Sequence, residues 1–187
     1  KYDVLVPHVN HRNDLTYIIG ELVGELCVGH AYVNSPPAGG VPERIQMGLL
    51  GAKLSKDASG YFKIEEILKG ANWSNDLRSP LTEVGVNVKT GDLITAVNGK
   101  STKEVDDIYS LLVNSAGKTI QLSISGNADG SGAHDELVKP IADESSLYYY
   151  NWVQGNIEKV NEATDGQIGY IHIPDMGVPG LQEFTKY

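Results

Sequence analysis

The 187-residue sequence holds one cysteine, Cys27. An internal disulfide needs two, so no disulfide framework is available, and the lone thiol is expected to be a small buried hydrophobe. No apolar run approaches the ~20 residues that a membrane-spanning helix requires, and the first residues carry no signal-peptide pattern. No membrane partner is expected. Basic residues are scarce as well: 15 Lys and Arg stand against 24 Asp and Glu, a net charge of −9. Without a Lys/Arg-rich run, nucleic acid is not expected as a partner. Metal-binding patterns are missing too. There is no Cys cluster and no His-Glu-x-x-His, and His8 and His11 read as polar loop residues. Residues 126–138 combine glycines, acidic residues and His134 but lack the alternating oxygen ligands and closing Glu of a calcium loop, so a solvated hairpin or linker is expected there. No metal and no cofactor are expected. Nor is there a Gly-x-Ser-x-Gly elbow: Ser131 lies between Gly130 and Gly132 with no strand before it or helix after it. Nothing here fixes the compartment, which stays open between cytoplasm and periplasm.

What is present is ordinary for a globular protein, with 41% hydrophobic and 21% charged residues. The length suits one large domain, or one small domain plus parts of another. The most informative stretch is residues 84–101, VGVNVKTGDLITAVNGKS. Lys89-Thr90-Gly91-Asp92 and Asn98-Gly99 make two tight turns around a short apolar strand of Leu93, Ile94, Ala96 and Val97. Gly85, Gly91-Asp92 and Asn98-Gly99 at these spacings, followed by an amphipathic segment, resemble the core of a PDZ domain. In that resemblance residues 104–114 form a helix with Val105, Ile108, Leu111 and Leu112 on one face, and residues 119–124 form a closing strand. Gly48-Leu49-Leu50-Gly51 would be the loop whose backbone N–H groups bind a peptide carboxylate. Residues 51–54 would begin the edge strand that pairs with the peptide. Ala52, Leu54, Val105, Ile108 and Leu112 would line the groove. The polar connection at residues 70–83 is expected to carry a short helix.

Ahead of this region, residues 13–26 carry the clearest helical periodicity. Leu15, Ile18, Ile19, Leu22, Val23 and Leu26 form one stripe, with Asn13 as N-cap and Asp14 at the positive end of the helix dipole. Gly29 is expected to end the helix in a left-handed conformation, leaving His30 just past it. Read from spacing alone, a His at a helix end is more often structural than catalytic. The motif Gly24-Glu25-Leu26-x-x-x-His30-x-Tyr32-Val33, placed before a PDZ-like region, resembles the helical catalytic segment of the tricorn protease family. The resemblance implies a serine peptidase related to the tail-specific proteases, with His30 as general base. In archaeal members a Ser commonly precedes that His; here the position is Gly29, which removes one hydroxyl able to orient the imidazole.

Residues 34–44 are rich in Pro and Gly and read as a linker. Residues 139–187 resemble the start of the tricorn α/β core, with a helix over residues 144–163, a strand over residues 168–173 and a helix opening at Gly180. Three pieces are therefore expected: a helical segment of the protease core at 1–40, a PDZ domain at 41–138 and the start of the core at 139–187. The fold class is α+β, a PDZ-like β-sandwich or barrel with two helices inserted between the parts of an α/β core. The resemblance places the nucleophilic Ser, the oxyanion-hole glycines and a catalytic Glu downstream, beyond Tyr187. It implies a parent that hydrolyses peptides through an acyl-enzyme and assembles as a homo-oligomer, and a 187-residue piece that is inactive alone. The rival expectation is a noncatalytic PDZ module that binds peptide C-termini or acts as a scaffold.

Overall fold

A computed structural model describes residues 1–35 and 44–186. The chain divides into two compact units, Lys1–Arg44 and Ile45–Tyr187. Most of the expected linker, including Pro36, Pro37, Gly39, Gly40 and Pro42, lies outside the described residues.

The first unit is built on α1, Arg12–Gly24. Its N-cap is His11, not Asn13. The His11 Nδ1 accepts the Asp14 N–H at 3.4 Å, and the Asp14 carboxylate accepts the His11 N–H at 3.2 Å and the Asn10 N–H at 3.0 Å. An imidazole nitrogen thus fills the acceptor role that Ser or Asp usually has in this reciprocal cap. The helix stops at Gly24, with the Glu25 N–H closing onto the Leu22 and Val23 carbonyls. Gly29 is not the left-handed terminator. The positive φ values fall at Cys27, +51°, and His30, +64°. Cys27 is exposed rather than buried.

The second unit is an antiparallel sheet. Its strands are β1 (Ala52–Lys56), β2 (Phe62–Ile67), β3 (Leu93–Val97), β4 (Lys100–Ser101), β5 (Ile120–Ser125) and β6 (His134–Val138). The order is β1-β2-β3-β5-β6, with β4 paired to β3. The sheet is open, with β1 and β6 as its ends, not a closed barrel; the mixed class of helix and antiparallel sheet is as expected. Both turns of the 84–101 stretch form. Gly91 takes φ +95° while the Lys89 N–H donates to the Asp92 carboxylate at 2.9 Å. Asn98 and Gly99, at φ +49° and +78°, join β3 to β4 with Val97 opposite Lys100. The core gathers Leu50, Phe62, Ile64, Ile94, Val97, Leu122 and Ile124.

Three elements differ from expectation. Residues 104–114 do not form an α-helix. Short 3₁₀ turns at Thr102–Glu104 and Ile108–Leu111 flank an extended Val105, φ −127°. The Thr102 hydroxyl donates to the Ile94 carbonyl at 2.6 Å, and Asp107 caps the second turn by accepting the Tyr109 N–H at 2.9 Å. Such side-chain bonds to backbone compete with helix propagation. Residues 134–138 are a full strand, not part of a linker. Its alternation is broken: Glu136 at 8% exposure shares the buried face with Val138 at 2%, while Leu137 is 69% exposed, so an apolar-in reading passes over it. Residues 168–173 form no strand among the described residues, because no other strand ladders with them. Two helices follow the sheet, α2 (Ser145–Ala163) and α3 (Val178–Lys186). The polar connection at 70–83 carries two 3₁₀ turns, Asn75–Leu77 and Pro80–Thr82. No helix is long and apolar enough to cross a membrane, among the described residues.

Candidate functional sites

The loop at residues 48–51 is shaped by two glycines. A Cβ on Gly48 would meet the Ser115 hydroxyl at 2.0 Å and Pro140 at 2.8 Å, so the close approach admits no side chain. Gly51 takes φ +68°, where an L-residue is strained, and a Cβ there would meet Pro80, Ser79 and Leu147 at 3.0–3.2 Å. Three of the four amides of this loop are already engaged. Gly48 donates to the Leu112 carbonyl at 2.9 Å and Leu49 to the Ile141 carbonyl at 2.8 Å. The Gly51 N–H donates to the Glu144 Oε2 at 3.1 Å.

Beside this loop, β1 is the end strand of the sheet, so its outer edge pairs with no other strand among the described residues. An unpaired edge is the structural requirement for adding an extended peptide. Of the residues expected to line the groove, Ala52, Ile108 and Leu112 are buried in the core, as is Leu50. Leu54 and Val105 are half-buried against that core, and Leu49 is half-buried. Lys56 reaches across to donate to the Val105 carbonyl at 2.8 Å. Sequence reasoning missed four residues around the loop: Tyr109, Glu144, Leu147 and Tyr148. Burial pushes the Glu144 carboxyl above its ordinary value, the Asp143 charge adds to this, and the Gly51 amide opposes it. Burial also raises the Tyr109 phenol, and the Glu144 charge raises it further. Leu147 is buried under Gly51. The available sequence signal was position: Glu144 and Leu147 are three apart at the start of α2 and so share one face.

In the first unit His30 is exposed, and its Nδ1 lies 3.2 Å from the Tyr32 hydroxyl. The two rings meet edge to face at 6.4 Å. His30 takes a left-handed backbone, φ +64°, and its side chain meets that of Tyr32 two residues on. A hydroxyl therefore stands beside the imidazole although position 29 is glycine.

An open antiparallel sheet with a glycine loop feeding its end strand and a 3₁₀ turn alongside is a PDZ-like fold. The tricorn protease PDZ domain family matches residues 48–143. The chain belongs to this family. Tricorn protease homolog 1 of Streptomyces coelicolor is 39% identical over 186 residues, which is 100% of this chain and 17% of that relative. Tricorn protease of Thermoplasma acidophilum is 32% identical over 189 residues, again 100% of this chain and 17% of the relative. The crystal structure of the tricorn protease superposes with a TM-score of 0.75 at 31% identity, covering 99% of this chain and 18% of that one. The chain thus spans about a sixth of the length of these relatives.

Proposed function

We propose that the chain is part of a tricorn-like serine peptidase that hydrolyses peptides, and that His30 is the general base. The observation that carries this reading is the imidazole–hydroxyl pair in a segment that lies within the whole-chain similarity to tricorn proteases. With Nδ1–H donating to the Tyr32 oxygen, the basic lone pair is on Nε2. There it takes the proton from an attacking serine hydroxyl as the acyl-enzyme forms, and returns it to the departing amine. Water then attacks the acyl-enzyme, and the same imidazole relays the proton back to the serine. No Gly-x-Ser-x-Gly elbow occurs in the 187 residues. The nucleophile and its oxyanion donors are proposed to come from outside them, and the chain alone is expected to be inactive.

The test is hydrolysis of short fluorogenic peptides by the full-length parent, with and without His30→Ala. Loss of at least about a thousandfold is expected, on the scale of removing a triad member. Undiminished activity in that variant would overturn the assignment and leave a noncatalytic PDZ module that engages peptide C-termini along β1. Cleavage by the 187-residue chain, abolished by His30→Ala, would overturn its catalytic incompleteness.

A further inference from the structure

We propose that the Gly51 amide is a carboxylate-binding site already filled from within the chain, with Glu144 as its ligand and Leu147 as the apolar group beside it. A peptide C-terminus offers a backbone-nest receptor two things, a carboxylate and a final side chain. The N-cap residue of α2, Glu144, and its first turn, with Leu147, supply both. The Glu144 Oε2 accepts the Gly51 N–H at 3.1 Å, and Leu147 is buried with its Cδ1 3.2 Å from where a Gly51 Cβ would stand. The amides of Gly48 and Leu49 are satisfied by carbonyls of Leu112 and Ile141, and of the loop amides with a bonded partner Gly51 is the one whose partner is a carboxylate.

The placement is held by a second clamp further along the same helix. The Asn151 side chain accepts the Lys69 N–H at 3.0 Å and donates to the Lys69 carbonyl at 2.8 Å, which fixes α2 against the end of β2. The ligand is therefore presented by an anchored element. An incoming C-terminal carboxylate must displace the Glu144 carboxylate before it reaches the Gly51 amide, although no other strand among the described residues pairs with the outer edge of β1. The β1 edge and the carboxylate site are thus separable, and internal peptide segments are favoured over chain ends. This inference stands apart from the His30 assignment, because its test reads binding alone.

The test uses the 187-residue chain and N-acetyl-leucine, which carries a free carboxylate and a leucine side chain, with N-acetyl-leucinamide as control. The Gly51 amide resonance is followed by NMR. Without added probe, Glu144→Ala shifts this resonance upfield, as loss of its acceptor requires. N-acetyl-leucine then binds Glu144→Ala at least tenfold more tightly than the native chain, and the amide control leaves Gly51 unmoved. A native chain that binds as tightly as the variant shows that Glu144 does not fill the site. A Gly51 resonance in Glu144→Ala that ignores N-acetyl-leucine shows that the amide is no carboxylate site. A Gly51 resonance equal in native chain and variant removes the internal bond. Each of these three results overturns the proposal.

Discussion

In α1 no side chain is fully buried, whereas β3 and β5 bury Ile94, Leu122 and Ile124 completely. The two regions hold their shape by different means. The helix is short, and a helix of its length is marginal on backbone propagation alone. Its definition comes from the reciprocal His11–Asp14 cap and from the side chains of Lys1 and Tyr2, which both bond the Glu25 carboxylate. The sheet rests on close-packed apolar burial, where each methylene counts. The candidate base stands on the thinly packed region and the candidate carboxylate site on the dense one. Substitutions near His30 are therefore read cleanly through activity, and those near Gly51 carry a stability component that must be measured alongside.

The largest effect that tests this contrast is Leu122→Ala, at a position with 0% exposure. It should cost about 2–5 kcal/mol of unfolding free energy. Leu22→Ala, at 52% exposure on α1, should change it by less than about 0.5 kcal/mol. Urea unfolding of the 187-residue chain measures both, and equal losses would break the comparison. Next comes Gly48→Ala, whose Cβ has no room against Ser115 and Pro140; overpacking there should cost about 1–3 kcal/mol, read as a fall in thermal midpoint. Thr102→Val keeps the shape but removes the donor to the Ile94 carbonyl. A cost of about 1–2 kcal/mol is expected, and a neutral result would mean that the 3₁₀ turns are held by packing alone.

Two smaller effects sharpen the comparison through pH, and their signs are opposite. The Asn10 amide first, then the His11 amide and ring, hold the Asp14 carboxyl below its ordinary value. A lowered pKa stabilises the fold above the unfolded value and loses that contribution as pH falls through the lowered one. The α1 amides should lose exchange protection on acidification over that range, and His11→Ala should weaken the same protection at neutral pH by about 0.5–1 kcal/mol. Glu144 behaves the other way. Its raised pKa means that the protonated form is favoured by folding, so stability is full below the ordinary Glu value and declines as pH rises through the raised one. The groups facing it are the Gly51 amide, Asp143, Tyr109 and Tyr148. Glu144→Gln should therefore raise the neutral-pH thermal midpoint slightly and flatten its acid dependence. A lowered midpoint would show that the ionised carboxylate is a net stabiliser.

The contrast also explains what was legible in the residues. The two turns around β3 were readable because glycine and asparagine tolerate positive φ that other residues resist, and both Gly91 and Asn98-Gly99 use it. The apolar alternation of β5 was readable because one face packs into the core. The 104–114 segment misled because Ile108 and Leu112 keep helical spacing and are buried, while Thr102 and Asp107 divert the backbone into separate turns. The strand β6 was hidden because a Glu at 136 takes a buried position and a Leu at 137 an exposed one. Around α1, the cap was misplaced by two residues because His is a rare cap acceptor, and the left-handed residues proved to be Cys27 and His30 instead of Gly29. The glycine loop was recognised, but not its occupant. Glu144 lies 93 residues from Gly51 in sequence, and no local pattern reports a partner at that distance. Tyr32 was closer to view, since it belongs to the same motif as His30.

The inward side chain of Glu136 has a further consequence. An open sheet presents unsatisfied backbone at both ends, and such ends template growth into fibrils. At the β6 end, a second strand joining in register would have to seal the Glu136 carboxylate and its neighbour His134, 3.3 Å away, between two layers. At the β1 end the lysines Lys53 and Lys56 stand on the strand itself, partnered by Glu66 and by the Val105 carbonyl. Charge at both rims makes the sheet a poor seed for its own polymerisation.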